Sequence, residues 1–360
     1  MTVRERTDRL RRAMQDQDLG LLLLTLPGNV AYATGITAAA ADADHVLLER
    51  LRVLVTPDDD PRVLDAEVPH AEVASLVREQ APDARLGVDD LSPELSRLLD
   101  EAGIAAIDPS TVLSAAKAVK TAEEVSLIAE AQRINEEAGA LVREACHAGV
   151  PATDLTGLFL EAALAAGADA SVVDPIWQAM PASVADGPFS VTGWVVFPTA
   201  TTGRPFETGD VVWVDTGISV DGYLSDYGRT WLVDSDPTPR QQDHAQRWRD
   251  VADRVLDAVK PGATAADLTR AAQEAGEDRP WLPHLYLAHG SGTESAEMPF
   301  VGTDLGPDFD ATIVLEPGMV LVLEPVIWDD GHAGYRAEEI VVVTDDGWQA
   351  LSSLPHEPFT

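Results

Sequence analysis

One stretch of this 360-residue chain narrows its folding options more than any other. It reads Asp210-Val-Val-Trp-Val-Asp-Thr-Gly217, then a turn at Asp221-Gly222, then Tyr223-Leu-Ser-Asp-Tyr-Gly-Arg-Thr-Trp-Leu-Val233. Asp-Gly between two apolar runs signals a tight type I′ hairpin. Pairing outward from that turn sets Asp226 opposite Gly217. Gly217 and Asp215 are two apart on one strand and share a face. Asp226 is therefore a diagonal neighbour of Asp215, about 7–8 Å away at Cα, near enough for the side chains to converge.

A second hairpin repeats the pattern. Met319-Val-Leu-Val-Leu-Glu-Pro-Val-Ile-Trp328 leads into a turn from Asp329 to Gly334, followed by Tyr335-Arg-Ala-Glu-Glu-Ile-Val-Val-Val-Thr344. If the turn centres on Gly331, Glu324 lies opposite Glu338; a slip of one residue favours Glu339. Like charges facing across a ladder destabilise it unless they are bridged. A carboxylate in a core stays charged only if something positive joins it. The economical answer is a pair of divalent metal ions held by Asp215, Asp226, His289, Glu324 and Glu338. His289 opens His-Gly-Ser-Gly292; the glycines permit close backbone approach, and neutral histidine is the commonest metal ligand. An oxygen-rich site with one imidazole suits Mn²⁺, Co²⁺, Zn²⁺ or Fe²⁺, and two such ions ionise a water for hydrolysis. Two exposed acidic turns with salt bridges are the plainer reading for any single acid. Two pairs on apolar strands favour the metals.

Composition sets limits. The formal net charge of -36 argues against nucleic acid or an anionic membrane surface as partner. A solvated acidic surface of the salt-adapted kind is the first explanation, and an acidic, arginine-rich proteome the second. No run of 18 or more apolar residues occurs, so no membrane span is expected. The charged start, Met1-Thr-Val-Arg-Glu-Arg, has no signal-peptide core, and a cytoplasmic location is expected. The single cysteine, Cys146, allows no internal disulfide and no thiolate-built zinc site; on its helix it reads as a small core residue.

Periodicity divides the chain. Residues 1–115 read as a small α/β domain. Its helices are expected over Arg6–Gln17, from Asn29, over Val68–Gln80 and over Ser92–Ala102. Leu19–Thr25 is a buried strand, with further strands at Leu51–Thr56 and Arg62–Leu64. Residues 116–360 open with a capping box, Thr121-Ala-Glu-Glu124, and a long helix to about Ala148. A helix from Thr153 to about Ala166 follows. The chain is β-rich beyond residue 170, apart from helices over Pro239–Val259 and Thr264–Ala275.

With these residues in place the chain resembles the pita-bread metallopeptidase family of aminopeptidase P, prolidase, methionine aminopeptidase and the metal-free creatinase. The resemblance covers nearly the whole length. Leu26-Pro-Gly-Asn-Val-Ala-Tyr-Ala-Thr-Gly35 resembles the creatinase-type N-terminal signature, and Lys120-Thr-Ala-Glu-Glu-Val the start of the catalytic domain. Gly209–Gly217, Ser225–Thr230, His289–Gly292, Leu323–Pro325 and Arg336–Glu339 resemble the five ligand motifs in order. The implied fold is α+β: a pita-bread catalytic domain preceded by a smaller creatinase-like α/β domain. By resemblance Asp215 binds one metal, Asp226 and Glu338 bridge both, and His289 and Glu324 hold the second. Glu338 is chosen over Glu339, and Glu324 shuttles the proton. The implied activity is that of a dinuclear-metal hydrolase of the Xaa-Pro aminopeptidase or dipeptidase type, acting on a small peptide as a homodimer.

Two departures stand out. Histidines that position the scissile carbonyl in such peptidases are replaced by Pro198 and Ala296. His284, Glu294 and Arg336 are candidate substrate contacts in their stead, with Glu297, His332, Tyr223 and Tyr227 as further neighbours. Trp177, Trp194 and Trp213 are expected as core or pocket walls. The alternatives are a divergent hydrolase or lyase on the same scaffold, acting on a small non-peptide zwitterion, and a non-catalytic binding protein.

Overall fold

The computed structural model describes residues 3–37, 51–65, 67–80, 85–183, 204–281, 286–353 and 358–359. The chain forms two compact units, Met1–Ala118 and Val119–Thr360.

The first unit runs α1 (Val3–Asp16), β1 (Leu21–Leu24), α2 (Pro27–Thr34), β2 (Arg52–Val55), β3 (Arg62–Leu64), α3 (His70–Gln80), β4 (Leu86–Val88), α4 (Pro93–Glu101), β5 (Ala106–Ile107) and α5 (Ser110–Lys117). Its sheet has the order β3-β2-β1-β4-β5, with β1 parallel to β4 and antiparallel to β2. Central β1 is Leu-Leu-Leu-Leu because both faces are covered. Leu22 and Leu24 pack with Leu10, Met14, Tyr32 and Leu113, while Leu21 and Leu23 pack with Val73, Val77, Leu95 and Leu99. α2 starts with Pro27 in its first turn and stops at Gly35, whose φ of 74° closes the helix in the left-handed conformation. Strands β4 and β5 and helix α5 were not anticipated; the strands are too short to show a period. α5 also moves the boundary beyond residue 115, because Val112, Leu113 and Ala116 belong to the first unit's core.

The second unit opens with α6 (Ala122–Ala145), and the Thr121–Glu124 capping box forms as expected. It continues with α7 (Ala152–Ala165), β6 (Ala170–Ala179), β7 (Val211–Val220), β8 (Tyr223–Leu224), β9 (Tyr227–Leu232), α8 (Pro239–Ala258) and α9 (Ala265–Glu274). Then come β10 (Ala288–Gly290), β11 (Glu297–Val301), α10 (Pro307–Asp310), β12 (Val320–Leu323), β13 (Val326–Ile327), β14 (Tyr335–Arg336), β15 (Glu339–Val343) and β16 (Trp348–Ala350). One sheet is centred on β7, which pairs with β6 on one side and β8 and β9 on the other; a second has the order β11-β10-β12-β15-β16. α6 and α7 cover the β7 sheet through Ile134, Ala138, Phe159, Trp177, Val214 and Trp231. Trp177 stacks on Trp231 at 5.6 Å, so it fills core rather than a pocket wall; Trp194 lies outside the described residues. The architecture is α+β. No described helix is long and apolar enough to cross a membrane.

Candidate metal centre

The first hairpin has the register its turn dictates. Asp221 and Gly222 both take positive φ, 47° and 78°, as a type I′ turn requires. Ser219 pairs with Leu224 and Thr216 with Tyr227, so Asp226 falls opposite Gly217; Asp215 pairs with Gly228. In the second hairpin Val326 pairs with Arg336 and Leu323 with Glu339, which sets Glu324 opposite Glu338. Glu338 is buried beside Glu324, whereas Glu339 pairs with Arg249 on α8 at 3.6 Å. The period of two makes the neighbours Glu338 and Glu339 face opposite ways.

Hydrogen bonds stitch the two hairpins edge to edge. The Glu338 N–H donates to the Gly228 carbonyl at 3.0 Å, and Arg229 donates to the Glu338 carbonyl at 2.7 Å. The Thr230 hydroxyl donates to the Arg336 carbonyl at 2.6 Å and accepts the Arg336 N–H at 2.9 Å. This seam brings Asp215, Asp226 and Glu338 to one point, with one ligand oxygen from each within 4.8 Å of the others. Gly228 makes the approach possible, since a Cβ there would lie 2.5 Å from the Glu338 carboxyl carbon.

His289 enters from β10, which pairs with β12 through His289–Val322. Its Nδ1 lies 2.9 Å from the Gly290 carbonyl, an acceptor, so Nδ1 carries the proton. Nε2 therefore presents a lone pair, 3.4 Å from Asp226 Oδ2 and 3.5 Å from Glu324 Oε1. Burial holds the histidine pKa below its ordinary value and so favours this neutral form.

Arg336 is the cation inside the cluster. Its Nη2 donates to Glu324 Oε2 at 2.7 Å, lies 3.2 Å from Asp215 Oδ2 and also bonds Glu338 Oε1. Its guanidinium carbon stands 4.9 Å above the Trp213 ring. One guanidinium does not neutralise four carboxylates. Burial pushes Asp215 and Glu324 each up to about 7. Asp226 is driven well above the carboxylate range by burial and by neighbouring Glu338, Asp215 and Glu324. Burial raises Glu338 as well. Glu338 Oε2 is buried without a hydrogen-bond partner among the described residues. Surplus buried negative charge, an orphaned carboxylate oxygen and an inward imidazole lone pair fit divalent cations.

The proposed substrate contacts fare differently. Arg336 binds the carboxylates through Nη2, while its Nε and Nη1 are buried with no hydrogen-bond partner among the described residues. Glu294 is exposed on the loop after His289. His284 and Pro198 lie outside the described residues, and Ala296 is partly exposed. Glu297 is buried in an ion pair with Lys120 at 2.8 Å, and His332 is exposed in the second turn. The Tyr223 hydroxyl bonds Glu124 at 2.8 Å, and Tyr227 packs under Arg229.

Three neighbours escaped the sequence reading. Gln132 on α6 accepts the Asp226 N–H at 3.2 Å and donates to Glu136 at 3.2 Å. Asn135 donates to the Thr216 carbonyl at 2.8 Å and to the Ser225 hydroxyl at 3.0 Å. Tyr286 sets its ring edge-on to His289, centroids 5.3 Å apart. The available signal was a run of polar residues, Gln132, Asn135 and Glu136, on the buried side of an otherwise apolar helix face.

Comparison with known proteins adds to this geometry. The model of metallopeptidase family M24 matches residues 126–345, and that of the creatinase/prolidase N-terminal domain matches residues 6–138. A probable dipeptidase PepE of Mycobacterium tuberculosis is 29% identical over 341 residues, 90% of this chain and 84% of that protein. A Xaa-Pro dipeptidase of Lactobacillus helveticus is 27% identical over 380 residues, 96% of each. The solved structure of a Xaa-Pro dipeptidase from Bacillus anthracis superposes with a TM-score of 0.80 at 23% identity, covering 99% of both chains.

Proposed function

The chain belongs to metallopeptidase family M24, with a pita-bread catalytic domain behind a creatinase-type N-terminal domain, and from that premise we propose that it hydrolyses small Xaa-Pro peptides with two divalent metal ions. The observation that carries this reading is the convergence of Asp215, Asp226 and Glu338, with Asp226 and Glu324 beside the unprotonated nitrogen of His289. These five residues would hold the ions. Bound there, the metals would lower the pKa of a water and polarise the substrate carbonyl.

The protein's own groups do the rest. Asp226 and Glu338, from the two hairpins, hold the centre from both sides of the seam. Glu324 takes the proton of the attacking water and returns it to the leaving nitrogen. Arg336 keeps Glu324 and Glu338 in place through one shared nitrogen. The Gly290 carbonyl fixes the His289 tautomer.

A second reading, a hydrolase or lyase for a small non-peptide zwitterion, draws support from Ala296. Its methyl has no proton to offer where such peptidases carry a carbonyl-positioning histidine. One assay series separates the two. Metal-loaded protein is incubated with Xaa-Pro dipeptides and longer Xaa-Pro peptides, beside an Asp226→Ala control. Cleavage that the control abolishes supports the peptidase. Full metal occupancy with every peptide intact refutes it in favour of the second reading. Failure to take up any metal refutes both and leaves a binding protein.

A further inference from the structure

Tyr286 precedes Leu287, whose carbonyl accepts the Glu324 N–H at 3.0 Å and whose N–H donates to the Val301 carbonyl at 2.8 Å. These two bonds fix the backbone from which the tyrosine projects. Its ring meets the His289 imidazole edge-on at 5.3 Å and 66°, and packs on Phe300 at 5.2 Å. The residue is half-buried, and its hydroxyl makes no hydrogen bond to any described residue. A phenol keeps its proton at neutral pH, so the residue is an O–H with a proton to share.

Most of the described groups around it are acceptors, and Arg336 Nε and Nη1 are the donors left without a partner among the described residues. The four carboxylates offer lone pairs, His289 has spent its N–H on Gly290, and the Arg336 donor nitrogen facing the acids is taken. Acyl transfer needs a donor where negative charge develops on the carbonyl oxygen.

We propose that the Tyr286 hydroxyl donates a hydrogen bond to the scissile-carbonyl oxygen of a substrate held at the carboxylate cluster. This rests on the hydrolase reading above. As water adds, its oxygen bonds to the carbonyl carbon, its proton passes to Glu324, and the π pair moves onto the carbonyl oxygen, where the phenol meets it. When that pair returns, the C–N bond breaks and Glu324 delivers the proton to nitrogen. Tyr286 keeps its own proton throughout.

The test compares the Mn²⁺-loaded full chain with Tyr286→Phe, which removes one oxygen and keeps both ring contacts. Metal content and thermal unfolding are expected to match the wild type. Inorganic phosphate, a tetrahedral oxyanion, should bind about tenfold more weakly by titration calorimetry. On any Xaa-Pro dipeptide the wild type cleaves, kcat should fall about 10²-fold, with KM changed less than about threefold. Tyr286→His, which restores an N–H donor, should recover part of that loss. A phenylalanine variant that binds phosphate like the wild type overturns the proposal. So does a metal-loaded wild type that binds no phosphate, or a phenylalanine variant that unfolds or loses its metal, since the residue is then structural. Failure of the peptidase reading looks different: every peptide stays intact while phosphate still separates the variant from the wild type.

Discussion

Replacing Gly228 by alanine puts a methyl group where Glu338 keeps its carboxylate. The added Cβ would stand 2.5 Å from the Glu338 carboxyl carbon, 2.6 Å from its Oε1 and 2.7 Å from Arg336 Nη1. An ordinary contact needs about 3.5 Å or more, so the acid and the guanidinium must both withdraw by roughly an ångström. Neither has room, because the Glu338 backbone is pinned to Gly228 itself and Arg336 is bound to three acids. Overpacking of this kind costs about 1–3 kcal/mol. A ligand displaced by that amount should weaken metal binding on the order of 10- to 100-fold, as lost supporting contacts do elsewhere. Gly157→Ala on α7 is the control, since its Cβ meets nothing within 4 Å and a helical Gly→Ala change should stabilise by about 0.5–1 kcal/mol. The assay is Mn²⁺ titration by calorimetry, with thermal unfolding of metal-free and metal-loaded protein. If Gly228→Ala binds Mn²⁺ as tightly as the wild type, Glu338 is not a ligand held in place by this close approach, and the seam between the hairpins does not build the site.

Three further outcomes follow from the same geometry. Burial pushes Asp215 and Glu324 up to about 7 in the fold, from 3.8 and 4.5 for the free side chains. The metal-free fold therefore binds more protons than the unfolded chain between these limits, and its stability, greatest in acid, declines as pH rises towards 7. In chelator it should melt several degrees higher near pH 5 than near pH 8; a flat or inverted profile counts against a metal-free cluster this crowded. Arg336→Met removes the buried cation and should destabilise the metal-free protein by about 3–5 kcal/mol, with added Mn²⁺ restoring most of it in thermal melts; a loss under about 1 kcal/mol would show the acids are compensated elsewhere. Gln132→Leu strips a partner from the Asp226 N–H and from Glu136 and should cost about 1–3 kcal/mol in urea unfolding, together with weaker Mn²⁺ binding; unchanged affinity would mean α6 supports the fold without aiming Asp226.

Both hairpins, and the pairing of acids across them, were readable from the chain because their determinants are local. Asp221-Gly222 sets a two-residue turn, and the period of two carries that register outward to Asp226 and Asp215 without further information. A second turn centred on Gly331 sets Glu324 against Glu338, but the sequence left a one-residue slip to Glu339 open. Helix α6 was readable from its capping box, which opens at Thr121.

What only the tertiary structure decided is how separate elements meet. Glu338 was preferred over Glu339 on family pattern alone; the packing of β9 against the second hairpin supplies the physical reason, leaving Glu339 to Arg249. Arg336 read as a substrate contact, yet it lies among the acids over Trp213, a ring more than a hundred residues away. Tyr286 gave no local signal, and the polar positions of α6 marked a buried polar face without naming Asp226 as the partner of Gln132. Turn chemistry and strand period are written into neighbouring residues. The balance of charge in a buried cluster depends on which distant side chains packing brings within a few ångströms, and that is settled only when the chain has folded.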